Sequence, residues 1–314
     1  MRSLDPPQAV ARARAGDRLA LGRLISAVEE RSDTAAAIGR ELPPGHAHVV
    51  GITGAPGVGK STTTAALIGR WRDAGLAVAV LAVDPSSPFT GGALLGDRVR
   101  MGDHATDDGV FIRSMAARGQ LGGLSAATPA AIRVLAGCGF DVIVVETVGV
   151  GQSEVDIVRY ADTVVILQAP GMGDRVQATK AGLLEIGDVF AVNKSDRPGA
   201  DATRRELVAM VSAKPIPEGG WRPPVVAVTA STGAGIDDLV AAIADHRAFA
   251  EASGAASARR RARVAAEIRG LALGQVDNRI AAASSTMGDL VESVLSGRRD
   301  PRAAAEELLA GLHP

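Results

Sequence analysis

Gly54-Ala55-Pro56-Gly57-Val58-Gly59-Lys60-Ser61 fits the spacing G-x-x-x-x-G-K-[ST] at every fixed position, and few folds accommodate it. Its flanks agree. His48-Val49-Val50-Gly51-Ile52-Thr53 is a short apolar strand candidate, and residues 62–71 read as a helix with an apolar face. A strand that turns through glycines into a helix aims backbone N–H groups at phosphate, and the helix N-terminus adds a partial positive charge. Gly54, Ala55, Pro56, Gly57, Val58, Gly59 and Thr62 therefore form a candidate phosphate cradle. Lys60 is placed to reach β- and γ-phosphates, and Ser61 to ligate magnesium. The expected architecture is a P-loop nucleoside triphosphatase: α/β, three layers, with a mostly parallel central sheet.

Further strands carry acids to the same edge. Residues 76–84 are a buried strand ending in Asp84, and a carboxylate at the C-terminal end of a parallel strand faces the ligand crevice. The glycine-rich loop that follows contains Asp97, a second carboxylate available to the metal or its waters. Arg98 and Arg100 suit phosphate, a partner or plain solvent equally well. Residues 110–115 form another strand candidate, and Thr128-Pro129 opens a helix. Residues 140–146 are nearly all apolar and end in Glu146, an acid in the position that orients magnesium or its water. Gly149 leaves room for backbone to approach a γ-phosphate, and Gln152 stands near enough in sequence to influence the attacking water. Residues 161–168 are a further strand that runs into the charged, glycine-bearing loop 170–180.

Base recognition is the next discriminating feature. Residues 188–192 form a strand followed by Asn193-Lys194-Ser195-Asp196. Asp196 can accept hydrogens from N1 and the 2-amino group of guanine; adenine offers neither there. Charge-assisted hydrogen bonds of this kind contribute about 1.5–3 kcal/mol each. Asn193 can brace adjacent loops, and the Lys194 stem can cover the ring plane. After the strand 225–228, Thr229-Ala230-Ser231 can present N–H groups to the guanine oxygen. The expected nucleotide pair is GTP and GDP, with magnesium.

Outside this domain the chain reads as helical. Residues 8–38 suggest two helices parted by Gly16-Asp17, with Val10, Leu19, Leu21, Leu24, Ile25 and Val28 on an apolar face. Arg12, Arg14, Arg18 and Arg23 read as a solvated face. Leu42-Pro43-Pro44-Gly45 is a breaker. Toward the other end, residues 233–247, 255–273, 287–296 and 301–310 are helix candidates. Arg259, Arg260, Arg261 and Arg263 spread around one of them, as a solvated face or as dimer salt bridges. The division expected is a helical arm at 1–44, a GTPase domain at 45–250 and a helical arm at 251–314. With aromatics at 3%, the core must be filled by Ala, Val, Leu and Ile. A net charge of −1 argues against a broadly basic nucleic-acid surface. One cysteine, Cys138, excludes an intrachain disulfide and fits a reduced, cytoplasmic setting. No apolar run approaches the ~18–20 residues of a membrane span, and the N-terminus lacks a signal-peptide core.

Taken together, these signatures resemble the accessory G proteins of adenosylcobalamin-dependent acyl-CoA mutases. The best-known member serves methylmalonyl-CoA mutase, and some relatives have been described as kinases of amino-acid transport systems. The matching stretches are the phosphate loop, Asp84-Pro85-Ser86-Ser87 through Gly96-Asp97, residues 145–154, 170–186 and 193–196, and Asp245-His246-Arg247. The resemblance implies that Lys60 and Ser61 bind phosphate and magnesium, and that Asp84, Asp97 and Glu146 form the acidic magnesium environment. It implies switch loops after Asp84 and Glu146, and an additional switch at 170–180 in which Lys180 assists partner-stimulated hydrolysis. It also implies a homodimer through the C-terminal arm and a mutase partner whose cofactor is delivered, removed or protected. Phe89 departs from the family, in which many members carry Arg at that point of the first switch.

Slow intrinsic hydrolysis is expected, since the sequence assigns no arginine finger in cis. Two other readings share the phosphate loop. A nickel-insertion GTPase would need converging soft or imidazole ligands, whereas the chain has one Cys and five scattered His. A small-molecule or protein kinase would need an acceptor pocket, and none is evident in the sequence.

Overall fold

The computed structural model describes residues 4–30, 33–84, 104, 106–116, 127–147, 157–171 and 185–311. Seven strands are found there: β1 (His48–Thr53), β2 (Val78–Asp84), β3 (Val110–Ala116), β4 (Val142–Thr147), β5 (Thr163–Gln168), β6 (Val189–Val192) and β7 (Val225–Ala227). They form one sheet in the order β3-β2-β4-β1-β5-β6-β7, with every neighbouring pair parallel. Strands running the same way deliver all their C-terminal ends to one edge, where α/β sheets bind ligands. β1 lies directly beside β4, with Ile52 paired to Glu146, so the phosphate loop and the acid leave the sheet side by side.

Near-continuous apolar runs make these strands, because both sheet faces are covered. Val49, Ala79, Leu81, Ile143 and Val145 pack toward one face. Val50, Ile52, Val78, Val80, Val142 and Val144 pack toward the other. The second face is covered by α4 (Lys60–Asp73), through Leu67, Ile68 and Trp71, and by a C-terminal helix of the core, through Leu239 and Ile243. On the first face lie α5 (Thr128–Gly137), α6 (Ala200–Ala213) and the N-terminal helices. The result is the three-layer parallel architecture expected from the sequence. Among the described residues no helix is long and apolar enough to cross a membrane.

The N-terminal arm holds three helices rather than two: α1 (Pro6–Arg14), α2 (Arg18–Glu29) and α3 (Asp33–Glu41). Gly16-Asp17 parts α1 from α2 as expected: the Asp17 carboxylate accepts from Leu19 N and Ala20 N, capping α2. Leu24, Ile25 and Val28 bury in the core on the first sheet face, where α2 packs on α1, α3 and α5, each worth about 1.5–3 kcal/mol of apolar transfer. Leu19 does not join them. It is 63% exposed, because Ala20, Leu21, Leu24, Ile25 and Val28 already occupy the inward positions of the helix. Arg18 also departs from the solvated face assigned to it. Its guanidinium donates to Asp107 O at 3.2 Å and Val110 O at 2.8 Å, fastening the arm to the start of β3.

The core ends in α7 (Ile236–Ala252), which starts after Gly235 (φ +74°) and outruns the expected 233–247. α8 (Ala255–Ala282) continues well past residue 273. Two compact units are distinguished, one running to Arg260 and the other from Arg261 onward. In the second, α9 (Ser284–Leu295) and α10 (Pro301–Ala310) bury Leu290, Ala304 and Leu308 with Ile280, Met287 and Val294 around them. Val291, Leu295 and Leu309 of the same helices are exposed.

A buried polar cluster sits at the N-terminal ends of β1, β5 and β6, the sheet edge away from the phosphate loop. Arg259, read from sequence as solvated or as a dimer contact, is part of it. Its guanidinium makes a two-pronged pair with Asp188, both bonds 2.7 Å, and donates to Asp162 O at 2.6 Å. The Asp188 carboxylate also accepts from Val164 N and stands 3.2 Å from His246 Nε2. A carboxylate only accepts, so His246 donates through Nε2, while its Nδ1 meets Thr163 Oγ1 at 2.8 Å. Thr163 Oγ1 in turn lies within hydrogen-bond distance of His48 Nε2, at 2.9 Å. Burial pushes the His48 ring down to a pKa of about 4. Burial alone would push the Asp188 carboxyl up; the Arg259 and His246 partners outweigh it and hold it below the ordinary carboxylate value.

Candidate functional site

The phosphate loop follows β1 and closes on α4. Gly54 leaves the strand with φ +145°, and a Cβ there would collide with the Leu167 carbonyl of β5. Gly59 caps α4 with φ +96°, and a Cβ there would strike the Asn193 amide. Both positions thus require glycine, for left-handed backbone and for close approach. The helix begins at Lys60, so the first-turn N–H groups, which have no partner inside a helix, point into the loop's hollow. Lys60 is buried and its Nζ donates to Gly54 O at 2.8 Å and Ala55 O at 3.3 Å. Val58 is buried under the loop, whereas Pro56, Gly57 and Thr62 are exposed.

Glu146, on β4, is 3% exposed and bound from two sides. Ser61 Oγ donates to Oε1 at 2.7 Å, and Thr64 Oγ1 donates to Oε2 at 2.8 Å. Sequence reasoning singled out Ser61 and passed over Thr64. The signal was available: three residues after Ser61 on a helix, Thr64 shares its face. A carboxylate and a hydroxyl held together at a phosphate loop are hard oxygen donors, and this set fits magnesium. Among the described residues no group of three His, Cys, Asp or Glu side chains stands ready for a metal. Asp84 is the last residue of β2, in register with Ala116 at the same sheet edge. Asp97, Gly149, Gln152 and Lys180 lie outside the described residues, as do loops 85–97 and 149–154 and all but the start of 170–180.

The Asn193–Asp196 turn follows β6 at the same edge. Asn193 is buried, and its amide is engaged at both ends. Nδ2 donates to Val58 O of the phosphate loop at 2.8 Å; Oδ1 accepts from Lys194 N at 2.8 Å and from Ala230 N at 3.1 Å. One side chain therefore ties together the phosphate loop, its own turn and the loop after β7. Lys194 takes a left-handed backbone (φ +58°), and its Nζ reaches Gly57 O at 2.7 Å, so its stem spans from the turn to the phosphate loop. Ser195 Oγ meets Thr229 Oγ1 at 2.9 Å, fixing the two loops to each other. Asp196 and Ser231 are exposed and Ala230 is buried. The structure thus brings Lys60, Ser61, Glu146, Asn193, Lys194 and the Thr229-Ala230-Ser231 loop to one edge of the sheet.

Comparison with known proteins gives the same picture. Residues 21–285 match the protein family described as methylmalonyl Co-A mutase-associated GTPase MeaB. A Pyrococcus horikoshii protein described as a GTPase is 50% identical over 304 residues, covering 96% of each chain. The GTPase ArgK of Escherichia coli is 37% identical over 256 residues, covering 79% of this chain and 77% of its own. Among solved structures, one described as a LAO/AO transport system kinase superposes with a TM-score of 0.71 at 28% identity, covering 98% of this chain and 99% of that one.

Proposed function

This chain belongs to the methylmalonyl-CoA mutase-associated GTPase family and is a GTPase, and from that premise we propose that it is a chaperone that couples GTP hydrolysis to cofactor delivery, removal or protection in an adenosylcobalamin-dependent acyl-CoA mutase. The observation that carries the hydrolytic half is the joint placement of Lys60, the Ser61–Glu146 pair and the Asn193 bracket at one sheet edge. The family match supports the partner.

In this reading GTP lies with its phosphates over the α4 N-terminus and its base at the Asn193–Asp196 turn. Asp196 accepts from guanine N1 and the 2-amino group, the Lys194 stem covers the ring, and the loop 229–231 offers N–H groups to the guanine oxygen. Lys60 exchanges the Gly54 and Ala55 carbonyls for β- and γ-phosphate oxygens. Ser61 and Glu146 hold magnesium, with Asp84 and Asp97 as further acidic members. The ion, when bound, offsets the negative charge on the phosphate oxygens. Water adds to the γ-phosphorus, the bond to the β,γ-bridging oxygen breaks, and GDP and phosphate leave. Lys60 and the loop N–H groups stabilise the charge that gathers on the transferred group. Gln152 orients the water, and Lys180 acts when the partner docks.

The test takes the purified chain immobilised with a non-hydrolysable GTP analogue or with GDP, and exposes it to extract of the native cell. A mutase retained in one nucleotide state and released in the other, together with faster GTP hydrolysis on adding that mutase, is the expected result. No mutase in either state, with no effect on cobalamin loading or protection, defeats the partner reading. Equal affinities for GTP and ATP defeat the guanine assignment independently.

Self-association is assigned to residues 251–314. On α8, Val264, Ile268, Leu271 and Leu273 are at least half exposed, more apolar surface than a solvated helix carries without a partner. Light scattering is expected to give twice the chain mass, and Ile268→Lys is expected to move the protein toward monomer. A monomeric parent chain at micromolar concentration rejects the assignment.

A further inference from the structure

Thr63 and Thr64 are neighbours in α4 and both are fully buried, yet their hydroxyls do different things. Thr63 Oγ1 bonds back to Gly59 O at 3.0 Å, the local solution open to a threonine within a helix. Thr64 crosses to the sheet and donates to Glu146 Oε2 at 2.8 Å. The other carboxylate oxygen receives Ser61 Oγ at 2.7 Å. Two donors from one helix face thus grip the two oxygens of one buried carboxylate.

We propose that Thr64 is a positioning residue for the magnesium centre: it fixes the plane of the Glu146 carboxylate so that Oε1 stays beside Ser61. The proposal rests on the GTPase reading above. A carboxylate held at one oxygen turns about its terminal bond, a broad torsion with little intrinsic preference. Held at both, its plane is fixed. Partners of this kind orient metal ligands, and their removal typically weakens metal binding ~10–100-fold. Thr64 itself touches neither ion nor nucleotide in this assignment. It acts through Glu146.

The measurement is the affinity of the full chain for a fluorescent GDP, titrated with free Mg2+ and repeated in chelator. Thr64→Val keeps the shape and removes the donor. It is expected to need about tenfold more Mg2+ for half of the metal-dependent gain in affinity, while affinity in chelator changes less than about twofold. Thr64→Ser restores the hydroxyl and is expected to restore the Mg2+ requirement. Where Thr64→Val does not fold, Thr64→Cys carries the comparison; its thiol is a weak donor and shifts the requirement the same way by less. A parental Mg2+ requirement in the folded variant overturns the proposal. Equal losses with and without Mg2+ also overturn it, since they mark a packing role only. Failure of the GTPase reading looks different: the parent chain itself then shows no Mg2+-dependent binding of GDP.

Discussion

Replacing Lys60 by Ala is expected to lower GTP hydrolysis by about 10²–10³-fold at saturating nucleotide, or roughly 2.7–4 kcal/mol of transition-state stabilisation. The ammonium is the one side-chain cation inside the phosphate loop. It is buried there and held by the loop's own Gly54 and Ala55 carbonyls, so it costs little to reorient when phosphate arrives. In a water-poor hollow a positive charge aimed at developing negative charge acts with little screening. Alanine leaves the backbone donors of α4 in place, so GDP binding is expected to weaken less than turnover. Phosphate release by the purified variant, beside its thermal unfolding curve, separates the two effects. An unchanged rate in a folded variant rejects the role given to Lys60.

What the sequence made legible, and what it hid, follows from how local each feature is. The phosphate loop, the strands ending in Asp84 and Glu146, and the Asn193–Asp196 turn are contiguous strings whose spacing encodes their geometry. So are the buried parallel strands, whose apolar runs leave no other place to lie. The parting of α1 from α2 was readable because Asp17 caps with its own neighbours. Helix ends were misplaced where alanine-rich sequence carries no stop signal, as in α8, which runs on to Ala282. Thr64 was passed over because its partner, Glu146, is 82 residues away, and only the pairing of β1 with β4 brings them together. Arg259 was misread for the same reason. Within its own helix it looks like one of six arginines, and its meaning comes from Asp188, which stands 71 residues earlier at the start of β6.

That pair gives the largest expected loss of stability. Arg259→Ala would leave the Asp188 carboxylate, 9% exposed in the parent, without its principal counter-charge. Breaking a buried pair from one side costs about 3–5 kcal/mol, and the guanidinium's partial exposure places this case near the lower figure, ~3 kcal/mol. For a unit of this size that corresponds to a fall in Tm of about 6–12 °C. The double variant with Asp188→Asn is expected to lose less than the sum of the single changes, because the amide no longer needs a cation. The pH dependence has a defined sign. Burial keeps His48 neutral down to about 4, whereas the unfolded ring takes up a proton near 6.5. Folding stability therefore falls as pH drops between those values, by on the order of 3 kcal/mol, in parent and variant alike. Asp188 differs between the two. In the parent its folded pKa lies below the unfolded value, so its contribution is full above ~3.9 and fades as pH falls further. In Arg259→Ala burial has the upper hand, protonation relieves the stranded charge, and the gap between the two proteins should be widest near neutral pH and narrow toward pH ~4. Denaturant unfolding across that range reads both effects. A cost below about 0.5 kcal/mol at neutral pH, the level of an ordinary surface substitution, would return Arg259 to the solvated face first assigned to it.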